Sequence, residues 1–384
     1  MKKIRLGIVG IGNMGTIHIQ NILDGKCPEI TVTAVAENKQ HRLDWAAEKI
    51  PDVARFDSEE KMLESGLIDA ALIATPHYDH PRLAIECMKR GIHVMVEKPA
   101  GVYTKQVREM NEVSEKSNVV FGMMFNQRTD HIYRKMKELI SGGMFGNIRR
   151  VNWIITNWYR PQAYYDSGAW RATWSGEGGG VLLNQCPHNL DLLQWICGLP
   201  VKVDAKLHFG KWHDIEVEDD VTAYMEFKNG STGVFITSTG DFPGTNRFEV
   251  TMDGGRIVSD GKKILMHKLS KPIEEFSREN VAPFGSPDAE SIEVETDGKA
   301  EQHIGVLNAF SGAILRGEPL VADGKEGING LMLSNAMHLS AWTGGAVSLP
   351  FDEELYYSEL MKRVETSRRK VNVTETVADT RGTY

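Results

Sequence analysis

Six residues near the start of the chain, Gly10-Ile11-Gly12-Asn13-Met14-Gly15, limit what it can fold into more than any other stretch. Glycines make turns everywhere, so a G-x-G-x-x-G string carries weight only through its surroundings. Ile4–Val9 before it is an apolar run that reads as a buried strand, and Thr16–Leu23 after it has helical spacing. In that setting each glycine has its own reason. Gly10 permits a tight turn, Gly12 the close approach of a pyrophosphate, and Gly15 close helix–strand packing. The N-terminus of that helix adds free N–H groups and the positive end of the dipole, and Asn13 and Met14 within the loop are counted with the cofactor-binding residues. Glu37 follows Gly15 by 22 residues and ends a second strand pattern. There a carboxylate accepts hydrogen bonds from an adenosine ribose. Strand, loop, helix and distal acid in this order predict a dinucleotide site. Glu37 would repel a 2′-phosphate, which favours NAD; Lys39 and Arg42 could pair one, so NADP stays possible.

The rest of the first third repeats the alternation. Strand-like runs at Thr31–Ala36, Asp69–Ala74, His93–Val96 and Val119–Met123 are separated by amphipathic segments near His41–Ile50, Ser58–Glu64, Pro81–Arg90 and Thr104–Lys116. The runs are nearly all apolar, as strands buried on both faces must be. This alternation predicts an α/β fold with a doubly wound parallel sheet. After about residue 125 the pattern changes. A helix over His131–Ser141 stops at Gly142-Gly143. Strand patterns follow at Arg149–Asn157, Lys202–Gly210, Val221–Phe227, Ser231–Ser238, Phe248–Met252, Arg256–Ser259 and Ile264–Lys268, several joined by turns such as Asn229-Gly230. Successive strands without helices between them predict an open, mostly antiparallel sheet. Residues 269–300 read as a polar, turn-rich excursion before helices over His303–Leu315 and Glu326–Thr343. A chain of 384 residues exceeds one compact core, and the expected division is 1–124 and 125–384.

Composition removes several function classes. With 52 acidic against 44 basic residues the formal charge is −8, and the basic clusters Arg149-Arg150 and Arg368-Arg369-Lys370 are short. No nucleic-acid partner is expected, because phosphate binding needs a concentrated basic face. The four cysteines form no C-x-x-C pair, which points to a reducing, cytoplasmic setting. His77-x-x-His80 and His208 with His213-Asp214 sit in no recognised ligand frame, and no metal is expected. The apolar stretch after Met1 is too short for a signal peptide, and no run approaches the roughly 20 apolar residues of a membrane span.

Val94-Met95-Val96-Glu97-Lys98-Pro99 follows another strand and resembles the Glu-Lys-Pro signature of the Gfo/Idh/MocA oxidoreductases, the glucose–fructose oxidoreductase and inositol dehydrogenase family. Ala74-Thr75-Pro76 with His80 is a second likeness. Gly178-Gly179-Gly180 through Asn184, His188 and Asp191 is a third, although the family usually has Asp where Asn184 stands. Glu326-Gly327-Ile328 through Pro350 resembles the family's closing helix and strand. The resemblance spans about residues 3–350 in order. It implies a Rossmann domain binding NAD(P) through the glycine loop, Glu37, Thr75, Pro76, His80, Glu97 and Lys98, joined to a second α/β domain. It also implies His188 as general base.

Physical chemistry supports Lys98 separately. Ligands of open α/β sheets lie beyond the carboxyl ends of the strands, where Lys98 sits with its direction limited by Pro99. An ammonium there favours a developing alkoxide. On sequence alone His188 is equally a buried core histidine. Asn184 and His188 are four apart, so on a helix they would share a face, with Asn184 orienting a substrate hydroxyl. Asn126 and Arg128 follow the last parallel strand and could line the cleft, or be ordinary loop polarity. Tyr159, Arg160, Trp170 and Arg171 lie in an aromatic, basic stretch. They could contact substrate or, for Trp170 and Arg171, also cofactor, or the tryptophans could fill a seam between domains.

The reading is an NAD(P)-dependent dehydrogenase acting on a secondary hydroxyl of a sugar, glycoside, anhydrosugar or inositol-type polyol, and forming a homo-oligomer, a dimer or tetramer. The alternatives are an NAD-dependent glycosidase with no net NADH formation and a cofactor-bound sugar sensor without turnover.

Overall fold

The computed structural model describes residues 3–368, 370 and 373. Arg369 of the basic triplet, and Met1 and Lys2, lie outside them.

The first third runs β1 (Ile4–Val9), α1 (Asn13–Leu23), β2 (Ile30–Ala36), α2 (Gln40–Lys49), β3 (Ala54–Phe56), α3 (Glu59–Glu64), β4 (Ala70–Ile73), α4 (Asp79–Lys89), β5 (His93–Val96), α5 (Thr104–Glu115) and β6 (Phe121–Met123). All expected elements are present, and β3 is an addition. Three residues carry too little periodicity to announce a strand; parallel pairing with β2 makes it one. The sheet order is β3-β2-β1-β4-β5-β6 and every pairing is parallel. Order reverses between β1 and β4, which opens a crevice at the carboxyl ends. Register decides what meets there. Val9 aligns with Ile73, Ile73 with Val96 and Val96 with Met123. The segments beginning at Gly10, Ala74, Glu97 and Met124 therefore leave the sheet along one edge.

The remainder runs α6 (His131–Ser141), β7 (Ile148–Ile155), α7 (Gln162–Tyr165), α8 (Pro187–Cys197), β8 (Lys202–Phe209), β9 (Glu218–Glu226), β10 (Thr232–Ser238), β11 (Asn246–Met252), β12 (Gly255–Ser259), β13 (Ile264–Leu269), α9 (Ile273–Glu279), β14 (Ala289–Glu293), α10 (Gln302–Arg316), α11 (Gly327–Thr343), β15 (Val347–Ser348) and α12 (Glu353–Thr366). The nine-stranded sheet, β14-β13-β12-β11-β7-β10-β9-β8-β15, is antiparallel except between β7 and β10. Residues 269–300 are more ordered than their composition suggests, since they hold α9 and a strand paired with β13.

One face of this sheet is buried. Val221, Ala223 and Met225 alternate inward along β9 while Thr222 and Tyr224 face outward. The inward face joins Leu331, Leu333 and Met337 of α11 and Leu192 and Leu193 of α8 in one hydrophobic core. That core continues without a break into Leu83, Val94 and Val107 of the first sheet's layer. The opposite side of the first sheet, with Leu6, Ile8, Ile19 and Leu72, is covered by Val306, Leu307 and Phe310 of α10. The chain thus returns from the second sheet to close the first.

Candidate active site

The glycine loop has the shape its sequence requires. Gly10 has φ +90, and a Cβ on it would meet the Ala74 carbonyl at 2.7 Å. A Cβ on Gly15 would lie 2.0 Å from the Gly10 carbonyl, so α1 can approach β1 only with glycine there. A Cβ on Gly12 would meet no protein atom within 4 Å. Gly12 faces open space, and Asn13 and Met14 begin α1 beside it. Glu37 closes the rim: Oε2 accepts from the Ile11 N–H at 2.9 Å, and Oε1 from the N–H groups of Asn38 and Lys39 at 2.9 and 3.1 Å. The open glycine, the helix start and the rim carboxylate fit a dinucleotide.

Thr75 and Pro76 leave β4 next to this loop, and the buried Thr75 Oγ1 has no partner among the described residues. His80 has a different role from a cofactor contact. It is buried, with Nδ1 2.7 Å from the Pro99 carbonyl and Nε2 2.8 Å from the Thr75 carbonyl. Both nitrogens are engaged, so His80 clasps the loops after β4 and β5 to each other. Glu97 is buried too, 2.7 Å from His18 Nε2, and His303 packs edge-on against the His18 ring. Sequence reasoning missed this group, because α1 and α10 bring His18 and His303 from opposite ends of the chain.

Lys98 is half-buried and donates to the Asn184 carbonyl at 3.0 Å, which joins the two sheets' layers at the site. Burial pushes its ammonium down; Glu97 resists, and the charges of Arg171 and Arg160 add to the fall. His188 is 2% exposed, and neither ring nitrogen has a partner among the described residues. Burial first, then the Lys98 charge, push it well below the usual histidine range. Buried polar groups normally find partners, so an imidazole with neither nitrogen engaged by a described residue departs from the usual core histidine.

The helical face shared by Asn184 and His188 does not exist. α8 begins at Pro187, whose fixed φ suits a first turn, and Asn184 lies in the preceding turn. Its amide donates to the Glu177 carboxylate. Glu177, which sequence reasoning overlooked, is 1% exposed and also accepts from the Ala172 N–H at 2.5 Å. Burial pushes its carboxyl up to about 7, against the opposing charge of Arg171. An acid directly before Gly178-Gly179-Gly180 was the only signal available. Because Asn184 Nδ2 is held by Glu177, its Oδ1 is the atom left to accept a bond.

Arg128 does not line a substrate cleft. Its buried guanidinium meets Asp191 at 2.6 and 2.7 Å and Glu326 at 2.8 Å, tying α8 to the turn before α11. Asn126 donates to Gln302 Oε1 at 2.6 Å, while its buried Oδ1 has no partner among the described residues. Tyr159 faces outward against Phe242. Arg160, Trp170 and Arg171 form one cluster around Tyr164, and the Trp170 ring meets His77 at 5.6 Å.

A parallel sheet of this order, with a glycine cradle at its switch point and a lysine and a histidine beyond it, defines a nicotinamide-dependent oxidoreductase. Residues 4–125 match the family described as an oxidoreductase family with an NAD-binding Rossmann fold, and residues 133–258 the matching Gfo/Idh/MocA C-terminal domain. The chain belongs to the Gfo/Idh/MocA oxidoreductases and binds NAD. It is 25% identical to myo-inositol 2-dehydrogenase of Thermotoga maritima, over 87% of this chain and 95% of that protein. It is 24% identical to D-glucoside 3-dehydrogenase of Escherichia coli K12, over 90% and 97%. Among solved structures, the WlbA dehydrogenase of Bordetella pertussis, in complex with NADH and UDP-GlcNAcA, superposes with a TM-score of 0.78 at 26% identity, over 92% and 99%. Among the described residues no helix is long and apolar enough to cross a membrane.

Proposed function

We propose that this oxidoreductase reversibly oxidises a secondary hydroxyl of a sugar, glycoside, anhydrosugar or inositol-type cyclic polyol. The observation that carries the reading is His188, buried with both ring nitrogens unpartnered beside Lys98. Bound NAD supplies the hydride acceptor. The neutral His188 imidazole takes the hydroxyl proton, and the Lys98 ammonium stabilises the oxygen as it becomes negative. Asn184 Oδ1 orients a neighbouring hydroxyl. Gly10, Gly12, Asn13, Met14, Gly15 and Glu37 hold the dinucleotide, with Thr75, Pro76, Glu97, Asn126 and Trp170 around its nicotinamide end. The relatives named for inositol and glucoside oxidation support the substrate class.

On this reading residues 1–124 are the cofactor half and the remainder the substrate half. The outward face of the nine-stranded sheet, with Tyr224 42% exposed, joins copies of the chain. A monomer in light scattering would remove that last part. Four free thiols suit a reducing, cytoplasmic setting.

The test is a panel of sugars and cyclitols followed by NADH absorbance, run separately with NAD and NADP. At least one cyclic polyol should yield NADH, and NAD should outperform NADP because the Glu37 carboxylate would repel a 2′-phosphate. Cleavage of a glycoside without net NADH would replace the dehydrogenase with a glycosidase. Ligand binding without any turnover would replace it with a sensor.

A further inference from the structure

Two arginines border the site, and among the described residues most of their donors have no partner. Arg160, after β7, donates Nη1 to the Tyr159 carbonyl at 2.9 Å, and Arg171 donates Nη1 to Tyr164 Oη at 2.9 Å. Their guanidinium carbons lie 5.3 and 4.6 Å from the Tyr164 ring centre. Arg160 also sits 5.7 Å from the Trp158 ring, and Arg171 4.7 Å from that of Trp170. Among the described residues neither meets a carboxylate at ion-pair distance. The nearby acids are engaged elsewhere. Asp166 accepts from Gln162 and Lys370, Glu216 from Ser367 and the Trp174 N–H, and Glu177 from Ala172 and Asn184.

The cluster is fastened to the turn that carries Asn184 and to the start of α8, which carries His188. Trp158 Nε1 donates to Asn189 Oδ1 at 3.0 Å, one residue after His188. Gln185 Nε2 donates to Tyr164 Oη at 3.3 Å, one residue after Asn184. Both guanidiniums act on Lys98 strongly enough to oppose its charge. Three cations thus lie close enough to act on one another. Stacking on a shared aromatic ring fixes the guanidinium planes beforehand, so little further order is lost when an oxyanion arrives.

We propose that Arg160 and Arg171 form an anion subsite, and that the preferred substrate is a sugar carrying a carboxylate or a phosphate. This deepens the dehydrogenase reading and rests on it. The shared chemistry is an oxyanion; a uronic acid and a sugar phosphate are its two sources.

The test compares methyl glucoside, methyl glucuronide and glucose 1-phosphate with the NAD-loaded wild type and the Arg160→Gln/Arg171→Gln variant. NADH affinity is measured on both proteins by fluorescence titration. One anionic sugar should exceed the neutral one by about 10-fold or more in kcat/KM, and the advantage should shrink as salt rises. The variant should bring that ratio close to one with NADH affinity little changed. A preference for the glucuronide assigns the subsite to carboxylate, and for the phosphate ester to phosphate. If the neutral sugar is best, or the ratio survives in the variant, the anion subsite is overturned while the dehydrogenase stands. NADH affinity falling in step with the ratio overturns it too, by moving these arginines to the cofactor. If no sugar yields NADH, calorimetric titration of glucuronide and glucose 1-phosphate into the NADH complex decides. Binding to wild type and not to the variant keeps the subsite, and no binding ends it; the dehydrogenase reading stands or falls separately on the wider panel of sugars and cyclitols.

Discussion

Burial acts on Lys98 and His188 in the same direction, because each cation loses solvation when it is enclosed. For His188 the result is a ring that stays neutral below the usual histidine range, which is the state the proposed base needs. The oxidation kcat/KM should hold as pH falls through 6.5 and decline only below it; a His188-dependent limb at or above 6.5 would show that the ring is not desolvated as described. Lys98→Met should lower turnover by about 100-fold or more with NADH affinity near wild type, and wild-type kinetics would take Lys98 out of the chemistry. Glu177 behaves in the opposite sense. Burial raises its carboxyl from the ordinary 4.5 to about 7, so folding takes up a proton between those values. The associated stability is fully present below about 4.5 and is lost as pH rises through about 7. Relative to Glu177→Gln, the wild type should lose on the order of 3 kcal/mol of unfolding free energy between pH 4.5 and 8. Denaturant titrations at the two pH values measure it, and a constant difference would mean that the carboxyl is not shifted. Glu177 and Asn184 are seven residues apart with neither on a helix, which is why residue spacing did not pair them.

At the scale of single elements, the strand–loop–helix unit at the start of the chain separates packing from binding. Gly15→Ala puts a methyl group 2.0 Å from the Gly10 carbonyl, a backbone atom that cannot turn aside. Gly12→Ala adds the same methyl to open space, at φ −76, which alanine readily adopts. Thermal unfolding should therefore show a much lower Tm for Gly15→Ala and an almost unchanged Tm for Gly12→Ala. NADH titration should show the second variant binding about 10-fold or more weakly, since its methyl occupies cofactor space. Equal Tm losses, or unimpaired NADH binding by Gly12→Ala, would contradict the cradle geometry. The roles of these glycines were legible in sequence because strand, turn and helix are all local. The start of α8 was less so: Pro187 marks it, but a four-residue spacing alone extended the helix to Asn184.

At the scale of the whole molecule, the two sheets share one core, and α10 seals the outer side of the first. The buried Arg128–Asp191 pair, extended to Glu326, lies across this junction between α8 and the turn before α11. Removing one partner leaves the other charge buried without compensation. Arg128→Ala should cost about 3–5 kcal/mol in denaturant unfolding. A substrate ligand would instead show a raised KM with stability unchanged, and that outcome would restore Arg128 to the cleft.

The sequence by itself determined the α/β alternation, the parallel-then-antiparallel division of strands, the glycine cradle and the placement of Lys98 at a strand end. Those features depend on periodicity and on backbone demands within a few neighbouring residues. Tertiary structure alone decided which polar groups are consumed and which remain available. Arg128 and His80 looked like site residues, yet contacts 63 and 19 residues away along the chain satisfy them. His188 looked as much like a core histidine as a base, and only the packed chain shows that none of the described residues engages its ring. The physical reason is that a side chain's protonation and free hydrogen-bonding capacity depend on every group packed around it. Long-range folding brings most of those groups together, and no local pattern records them.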